Sequence, residues 1–430
     1  MATDAVIRRA DGDETAPGSA PTARWFWRYW IGGTVSRVGD TVTLVALPLA
    51  AVGLAHATSF EVGVLAAAEL AGWIAIGLPA GVLVQRLPLR GTQIAMDLLR
   101  AALLASVPLV WWLTGRLSVL QLILVVLVNG FASVVFDVGN STMMPFLVSK
   151  EELTRRNSLT SASEAGTQLA GPSLGGVLVQ ATGAAGTLVV DVASYVVSAV
   201  VLSRVPRPPR ETRDARRDPA AGAAQTSVRA SIRAGWNHVV DHPILRPAML
   251  DAAAINFVCG AITTLTPLFL VRTLGLHAAA VGLLYASEGV GSLIGAALTP
   301  RIAGRIGSAR AALVAALVLP LTVALLPLAG NGAGTLLFAL GNAAFAGAVV
   351  VSSIVFRTHR HTETPGELLP RVMATVRFVS WGVNPLGALA AGAVATWTSA
   401  REALWWTAAA ALLPAAILLT SPVRGRRDLA

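Results

Sequence analysis

Lysine, cysteine and charge in general are scarce in this chain, and each shortage excludes a class of protein. Lys150 is the only lysine among 430 residues. It is followed by Glu151 and lacks the preceding glycines, so a G-x-x-x-x-G-K-[ST] phosphate loop is missing and the chain cannot be its own ATPase. Cys259 is the only cysteine, which excludes a disulfide scaffold and a thiolate metal cluster. Charged residues make up 13% of the chain, against about 25% in soluble domains, so a water-soluble globule is excluded.

Long apolar runs take the place of charge. The chain is 54% hydrophobic, with a mean hydropathy of +0.66. Runs of about 20 residues, enough to cross roughly 30 Å of hydrocarbon, recur along almost its whole length. The pattern predicts an all-α membrane protein with twelve transmembrane helices, called spans 1 to 12: 25–53, 60–84, 92–114, 118–140, 158–181, 186–204, 246–271, 279–302, 309–329, 334–356, 372–397 and 403–421.

Arginine is distributed unevenly between the two ends of these spans. Of the 33 basic residues, 27 fall on the side of the termini, and only Arg116, Arg272 and Arg401 fall on the opposite side. The positive-inside rule then predicts a multi-pass protein with both termini cytoplasmic. The abundance of Arg and Ala favours a bacterial source, hence the bacterial inner membrane. The +10 net charge fits basic loops facing an anionic lipid bilayer and requires no nucleic-acid partner.

The longest polar insert separates two groups of six spans. Within it, Val228, Ile232, Trp236 and Val240 recur every four residues and predict an amphipathic helix. That helix either lies in the cytoplasmic membrane interface or packs against the cytoplasmic loops. We predict five regions: a disordered cytoplasmic tail (1–23), an N-terminal half (24–204), a cytoplasmic linker (205–245), a C-terminal half (246–421) and a cytoplasmic tail (422–430).

The second group of spans repeats the first at low similarity. An offset of 219 residues pairs Pro48 with Pro267, Gly63 with Gly282, Glu69 with Glu288, Gly72 with Gly291 and Arg86 with Arg305. An offset of 213 pairs Asn129 with Asn342 and Pro172 with Pro385. The repeat predicts two parallel six-helix halves around a central path.

Short motifs follow one another in a fixed order along the spans. They are Ser36 to Asp40, Gly81 to Arg86, Asp97 to Arg100, Met144 to Leu159, Gly171 to Gly176, Arg371 to Met373 and Trp381 to Gly387. In that order and spacing they resemble the major facilitator superfamily, and within it the drug and siderophore branch that includes enterobactin exporters and macrolide efflux pumps. The resemblance implies the major facilitator fold, alternating access, and an exporter signature at the Gly-Pro motif of span 5.

Gating or conformational roles are predicted at the ends and bends of the spans, where the charged residues could instead form structural ion pairs. The residues concerned are Gln85, Arg86, Arg90, Asp97, Arg100, Gly171, Pro172, Gly175, Gly176, Asn384 and Pro385. Gln85 stands where the family usually carries an Asp, so the gating salt bridge attributed to that Asp does not carry over. Span 4 lacks the Arg of many proton-driven antiporters, so proton coupling does not carry over either.

Three carboxylates, those of Asp40, Glu69 and Glu288, are expected near the membrane midplane. Each costs about 2.5–3.5 kcal/mol there and needs a partner or a purpose. Arg37 precedes Asp40 by three residues, so the two could neutralise each other. Alternatively Arg37 is shared with Glu69, and one carboxylate takes up a proton. Glu288 has no basic partner in its own span and is the preferred titrating or cation-binding candidate.

Amides and small residues complete the candidate set. Asn256 and Gln168 could hydrogen-bond cargo, or could join helices to each other. In span 5, Glu164, Gln168, Gly171 and Gly175 share one face, which Pro172 bends. We predict that this face packs against a stripe in span 8: Glu288, Gly291, Ser292 and Gly295.

Enzyme chemistry is not expected. Gly171 to Gly175 matches G-x-S-x-G, but the motif lies inside a membrane helix and the spans of that half contain no histidine. We expect no metal site and no cofactor, with a proton gradient as energy source, and a monomer. The predicted function is secondary-active efflux of an amphipathic small molecule, such as a drug, antibiotic or siderophore, by proton antiport. The alternatives are an importer of the same fold, or a membrane receptor or assembly factor that does not transport.

Overall fold

A computed structural model describes residues 20–148, 152–205, 228–365 and 368–429. Every regular element in these ranges is helical, which confirms the predicted all-α class. Residues 1–19 of the predicted tail lie outside the described residues. The last four residues of that tail belong to α1, which begins at Ala20. The helices are α1 (Ala20–Gly53), α2 (Ser59–Arg86), α3 (Leu89–Thr114), α4 (Val119–Leu147), α5 (Leu153–Ser203), α6 (Val228–Asp241), α7 (Leu245–Pro267), α8 (Ala278–Ile306), α9 (Ser308–Leu328), α10 (Thr335–Glu363), α11 (Leu369–Gly382), α12 (Asn384–Trp397), α13 (Ala400–Ala410) and α14 (Leu412–Leu419).

Twelve spans are present, as predicted. Among the described residues, 11 segments are long and apolar enough to cross a membrane, and one of them, Ala162–Ser203, has 42 residues. That segment breaks at Gly183, where φ is +76°, and so holds both span 5 and span 6. Spans 11 and 12 are α11 with α12 and α13 with α14. The chain reverses at the break, since span 1 packs in opposite directions on the two sides of it: Thr41 on Gly171, Val42 on Gly175, Gly39 on Asp191 and Gly32 on Val201.

The two halves meet through glycines at one end of the bundle. We call the end at which α1 begins the near end and the opposite end the far end. Span 5 meets span 8 where a β-carbon on Gly176 would lie 2.8 Å from the Gly282 Cα. Span 2 meets span 11 where a β-carbon on Gly63 would lie 3.3 Å from the Gly392 Cα. Both contacts lie toward the far end, because Gly63 and Gly282 follow the starts of α2 and α8 closely.

The internal repeat is visible in these contacts, with one correction. Gly72 packs on Gly130 as Gly291 packs on Ala343, which confirms the offsets of 219 and 213 for spans 2 and 4. Span 5 follows a third offset, 216, because Gly176 meets span 8 as Gly392 meets span 2. The predicted equivalence of Pro172 with Pro385 is therefore wrong. Pro172 and Ala388 occupy equivalent places, each presenting its carbonyl oxygen to the facing glycine of the other half.

The predicted stripe-on-stripe packing of spans 5 and 8 is also corrected. The two spans do touch, but Gly171 and Gly175 face span 1, where a β-carbon on Gly171 would clash with the Thr41 Oγ1. Gly291 and Gly295 face span 10. Glycines permit close backbone approach without specifying which neighbour approaches, so the faces could not be assigned from spacing.

The linker helix and the C-terminal tail both dock on the near end of the second half. Val239 of α6 is buried with Leu245 and Val372, so the packed alternative describes this helix. In the tail, the Asp428 Oδ1 accepts a hydrogen bond from the Ser308 amide at 2.8 Å, and this carboxylate caps α9.

Candidate functional site

Two cavities lie between the halves. The first, of about 280 Å³, is lined mainly by spans 1, 2 and 4, with Thr263, Pro267 and Tyr285 contributed by the second half. The second, of about 690 Å³, is lined mainly by the near halves of spans 7, 10 and 11. Leu70 of span 2 lines both, so the cavities adjoin. We call the first the acidic cavity and the second the basic cavity, after the charged side chains described next.

Asp40 and Glu69, two of the three predicted carboxylates, line the acidic cavity. The Tyr195 hydroxyl of span 6 donates a 2.6 Å hydrogen bond to the Asp40 Oδ1. Within the described residues, no Lys, Arg or His nitrogen lies within 4.0 Å of the Glu69 carboxylate. Asn129 lines the same cavity, and its Oδ1 has no described hydrogen-bond partner. The cavity thus offers two carboxylates and an amide to whatever enters.

The structure does not pair Arg37 with either carboxylate. Its guanidinium lies 2.7 Å from the Glu164 carboxylate of span 5, so the predicted neutralisation of Asp40 and the predicted sharing with Glu69 are both wrong. Glu164 pairs with Arg37 because span 5 packs beside span 1. Residue spacing within one helix does not show which other helix lies beside it. Both side chains of the pair are partly exposed, at 26% and 42%.

A buried ion pair in span 3 contacts Tyr195, one of the residues that line the acidic cavity. The Arg100 guanidinium donates to the Asp97 carboxylate, with 2% and 0% of their side chains exposed. The Arg100 guanidinium carbon also lies 4.2 Å and 4.4 Å from the ring centres of Phe136 and Tyr195. Arg100 therefore holds the ring whose hydroxyl binds Asp40, and acts on that carboxylate through Tyr195.

Asp191 is a functional candidate that the sequence analysis missed. It is fully buried and accepts hydrogen bonds from the Thr43 Oγ1 at 2.5 Å and the Ser194 Oγ at 2.9 Å. Thr43 also lines the acidic cavity, so Asp191 lies one side chain behind its wall. The signal was present in the sequence, because Asp191 interrupts an apolar run in span 6.

The basic cavity carries three arginines, Arg357, Arg360 and Arg377, and one carboxylate, Asp251. Asp251 is fully buried and accepts a 2.8 Å hydrogen bond from the Ser352 Oγ. Asn256 also lines the cavity, and its Nδ2 donates to the Ala252 carbonyl of its own helix at 2.8 Å. Sequence reasoning missed Asp251 and the arginines of span 10, since basic residues at span ends were assigned to membrane topology.

Two predicted candidates lie apart from both cavities. Glu288 is exposed and lies one turn from Tyr285, which lines the acidic cavity. Gln168 is also exposed, at the contact of span 5 with span 8, where its carbonyl oxygen lies 3.5 Å from a β-carbon position on Gly289.

The remaining gating candidates lie at the near ends of spans 2 and 3 and at the break in span 11. The backbone of α2 continues to Arg86, but the side chains of Gln85 and Arg86 lie outside the described residues. Arg90 donates to the Ser203 carbonyl at the near end of span 6. Asn384 and Pro385 begin α12 after the break in span 11, and the Asn384 carbonyl packs directly against Gly260 of span 7, where a β-carbon would clash with it.

Comparison with known proteins identifies the fold and the family. A model of the Major Facilitator Superfamily matches residues 29–364. An uncharacterized MFS-type transporter, y4rN of Sinorhizobium fredii, is 25% identical over 385 residues, covering 85% of this chain and 87% of its own length.

Two solved structures share the fold at low identity. A mutant of the nucleoside transporter NupG has a TM-score of 0.75 at 12% identity, covering 92% of this chain and 99% of its own. A bacterial homologue of the iron transporter ferroportin in an inward-facing state has a TM-score of 0.71 at 16% identity, with coverages of 94% and 99%. This chain is a multi-pass membrane transporter and belongs to the Major Facilitator Superfamily.

Proposed function

We propose that the chain exports an amphipathic small molecule by alternating access, in exchange for protons, and that it belongs to the drug and siderophore branch of its family. In this proposal the protein is a monomer in the bacterial inner membrane, and its near end is cytoplasmic. The arginine distribution supports that orientation, because the near end carries most of the basic residues.

The observation that carries the proposal is the pair of carboxylates in the acidic cavity. Asp40 and Glu69 line a cavity between the halves, and the far ends of those halves are joined by backbone-to-backbone glycine contacts. With the near end cytoplasmic, the cavities face the cytoplasm while the outer side is closed. A carboxylate in such a cavity takes up a proton from one side of the membrane. It releases that proton to the other side when the far end opens and the near end closes.

Transport in inside-out membrane vesicles tests this proposal. A fluorescent amphipathic cargo is expected to accumulate in the lumen when the lumen is acidified, and to stop accumulating when the gradient is dissipated. Glu69→Gln is expected to reduce accumulation to the gradient-independent level, because the amide cannot carry the proton. Glu288→Gln tests the second coupling candidate in the same assay.

Glu402→Gln is the matched control, because Glu402 is an exposed carboxylate at the start of α13 on the far end. Unchanged gradient-driven flux and pH dependence in both Glu69→Gln and Glu288→Gln would remove these residues from coupling. Flux in the reverse direction would favour an importer. A lack of flux for a broad cargo panel would favour a receptor or assembly factor.

A further inference from the structure

Asp191 is a buried carboxylate outside the pair on which the proposed function depends. Its side chain is fully buried, and within the described residues no Lys, Arg or His nitrogen lies within 4.0 Å of its carboxylate. Its hydrogen-bond partners are two neutral hydroxyls, those of Thr43 and Ser194. A buried carboxylate without a cationic partner is costly to keep ionised, and such a group takes up a proton instead.

The charged groups around Asp191 do not neutralise it. Span 1 contributes Asp40, and span 3 contributes Asp97 and Arg100. The Arg100 guanidinium is already bound to Asp97 and stacked on the ring of Tyr195, which follows Asp191 by one turn of span 6. Three carboxylates thus share one guanidinium, and a proton on Asp191 reduces the excess of negative charge.

Spans 1 and 6 bind each other's carboxylates at one contact. Tyr195 of span 6 donates to the Asp40 Oδ1 at 2.6 Å. In return, Thr43 of span 1 donates to the Asp191 Oδ2 at 2.5 Å. The Asp191 Oδ1 lies against Gly39, the residue before Asp40, where a β-carbon would clash with it. The two carboxylates are therefore close enough for the charge of one to oppose ionisation of the other.

The Thr43 hydroxyl connects Asp191 with the acidic cavity. Thr43 lines that cavity, and Asp191 lies directly behind it. A hydroxyl can donate to an ionised carboxylate and accept from a protonated one, so the 2.5 Å contact serves both states. In the second state the Thr43 hydrogen turns to a carbonyl of its own helix, as in Thr41, whose hydroxyl donates to the Arg37 carbonyl at 3.1 Å. Proton binding by Asp191 therefore needs no repacking of the two spans.

The second half makes the equivalent helix contact without carboxylates. The offset of 216 extends from span 5 into span 6, because it pairs the break at Gly183 with Ser399, the N-cap of α13. The first-half residues Asp40, Thr43, Asp191 and Tyr195 then correspond to Cys259, Ile262, Thr407 and Ala411. Span 12 still packs on span 7, and the Thr407 hydroxyl donates to a carbonyl of its own helix. The fold therefore does not require a carboxylate at Asp191, which favours a role in proton exchange over a role in packing.

We infer that Asp191 is a further proton-binding residue of the transporter and that it acts through Asp40. While Asp191 holds a proton, the negative charge stays on Asp40 in the cavity wall. When Asp191 gives its proton to the acidic cavity through the Thr43 hydroxyl, Asp40 binds a proton more readily. Asp191 lies behind the wall, so it is a positioning residue and not a cargo ligand. The inference rests on the proposed proton exchange and adds a residue to it.

Infrared difference spectroscopy tests this inference without any cargo. A protonated carboxylic acid has a carbonyl band that an ionised carboxylate lacks, so the full-length protein in phosphatidylcholine nanodiscs is titrated from about pH 5 to about pH 10. We expect part of the wild-type band to disappear within that range, and Asp191→Asn to lack a component equal to one carboxyl group. Glu402→Gln is the matched control and should leave the band unchanged, because this exposed carboxylate lies at the far end, away from Asp191.

The Thr43 hydroxyl gives a second test, which also serves if Asp191→Asn does not fold. Hydrogen bonds to a charged acceptor are about twice as strong as those between neutral groups, so this hydroxyl stabilises the ionised carboxylate more than the protonated one. Thr43→Val should therefore move the titration of the Asp191 component to higher pH by about one unit, and Thr43→Ser should leave it in place. A carboxylate with a purely structural role would show neither the component nor the shift.

Transport in inside-out vesicles separates this inference from the proposed function. Asp191→Asn should shift the pH dependence of gradient-driven accumulation without abolishing it, because Asp40 and Glu69 are still present. The inference is overturned if Asp191→Asn leaves the infrared band unchanged at every pH, or if the missing component does not titrate. Either result, together with gradient-driven transport by the wild type, leaves the exporter proposal standing. A titrating Asp191 component in a protein without gradient-driven transport would support the proton on Asp191 and overturn proton-driven export.

Discussion

The two halves share one fold, but the walls of their cavities carry opposite charge. In the first half, Asp40 and Glu69 line the cavity, and Arg100 lies in a closed ion pair behind it. In the second half, the position equivalent to Asp40 is Cys259 and that equivalent to Arg37 is Asn256, while the cavity wall carries arginines. The repeat therefore preserves packing and leaves the chemistry of each half free to differ.

The largest expected difference between the halves is in stability. Arg100→Gln should lower the free energy of unfolding by about 3–5 kcal/mol, because it leaves the buried Asp97 carboxylate without its partner. Asp251→Asn in the second half should change it by about 1 kcal/mol or less, since Asp251 has one hydroxyl partner and no ion pair to lose. Denaturant unfolding in detergent micelles measures both, with Arg310→Gln as the surface control. Equal losses from the two variants would contradict the contrast.

We call the two glycine contacts at the far end, Gly176 with Gly282 and Gly63 with Gly392, the seams. Although the cavities of the two halves differ, the two seams should respond alike to mutation. Gly176→Ala and Gly63→Ala each place a β-carbon within 3 Å of a backbone oxygen across the seam. Each should disfavour the closed far end by about 1–3 kcal/mol, a shift of about 5–150-fold in population.

Alkylation of a reporter cysteine measures this shift. With Ser59→Cys in a Cys259→Ala background, the reporter lies at the far-end seam beside Gly392. Labelling should accelerate in both variants. Gly166→Ala is the control, because nothing lies within 4 Å of its β-carbon position. Acceleration from only one seam would show that the halves do not move as equivalents.

The smallest expected effect is a pH response confined to the second half. The His242 Nδ1 accepts hydrogen bonds from the Ile244 and Leu245 amides, at 3.2 Å and 3.1 Å, where the linker enters span 7. Burial lowers the pKa of His242 below its ordinary value, and nearby His238 lowers it further, against an opposing effect of Glu363 and a small additional lowering from Arg426. The released segment would bind the proton more readily, so this contact is strongest above about pH 6.5 and weakens as pH falls.

Hydrogen exchange measures the weakening. Exchange over Val228–Asp241 should accelerate at pH 5.5 relative to pH 7.5, after correction for the intrinsic rate, while Leu89 to Arg100 in the first half should not change. In His242→Asn the acceleration should disappear, since the amide does not titrate. An unaltered response in that variant would assign the effect to another group.

The sequence predicted the fold well because its signals are additive along the chain. The lengths of the apolar runs predicted the spans, and the arginine counts predicted which span ends lie on the same side. The recurrence of Gly63 and Gly72 as Gly282 and Gly291 predicted the two halves. Contacts between spans were predicted poorly. Arg37 paired with Glu164 instead of Asp40, and Gly171 faced span 1 instead of span 8, because helix spacing gives a face but not the neighbour. Asp191 and Asp251 were visible as acids within apolar runs and were missed.

Gly183 joins spans 5 and 6 through a single non-helical residue. Gly176 lies seven positions before it and Asp191 eight positions after it, about 11–12 Å along the helix on each side. Because the connection is this short, we expect a displacement of Gly176 to be passed on to Asp191. The Asp191 carboxylate accepts a hydrogen bond from Thr43, which lies in the wall of the acidic cavity. We therefore expect that opening the far end also moves this wall of the acidic cavity.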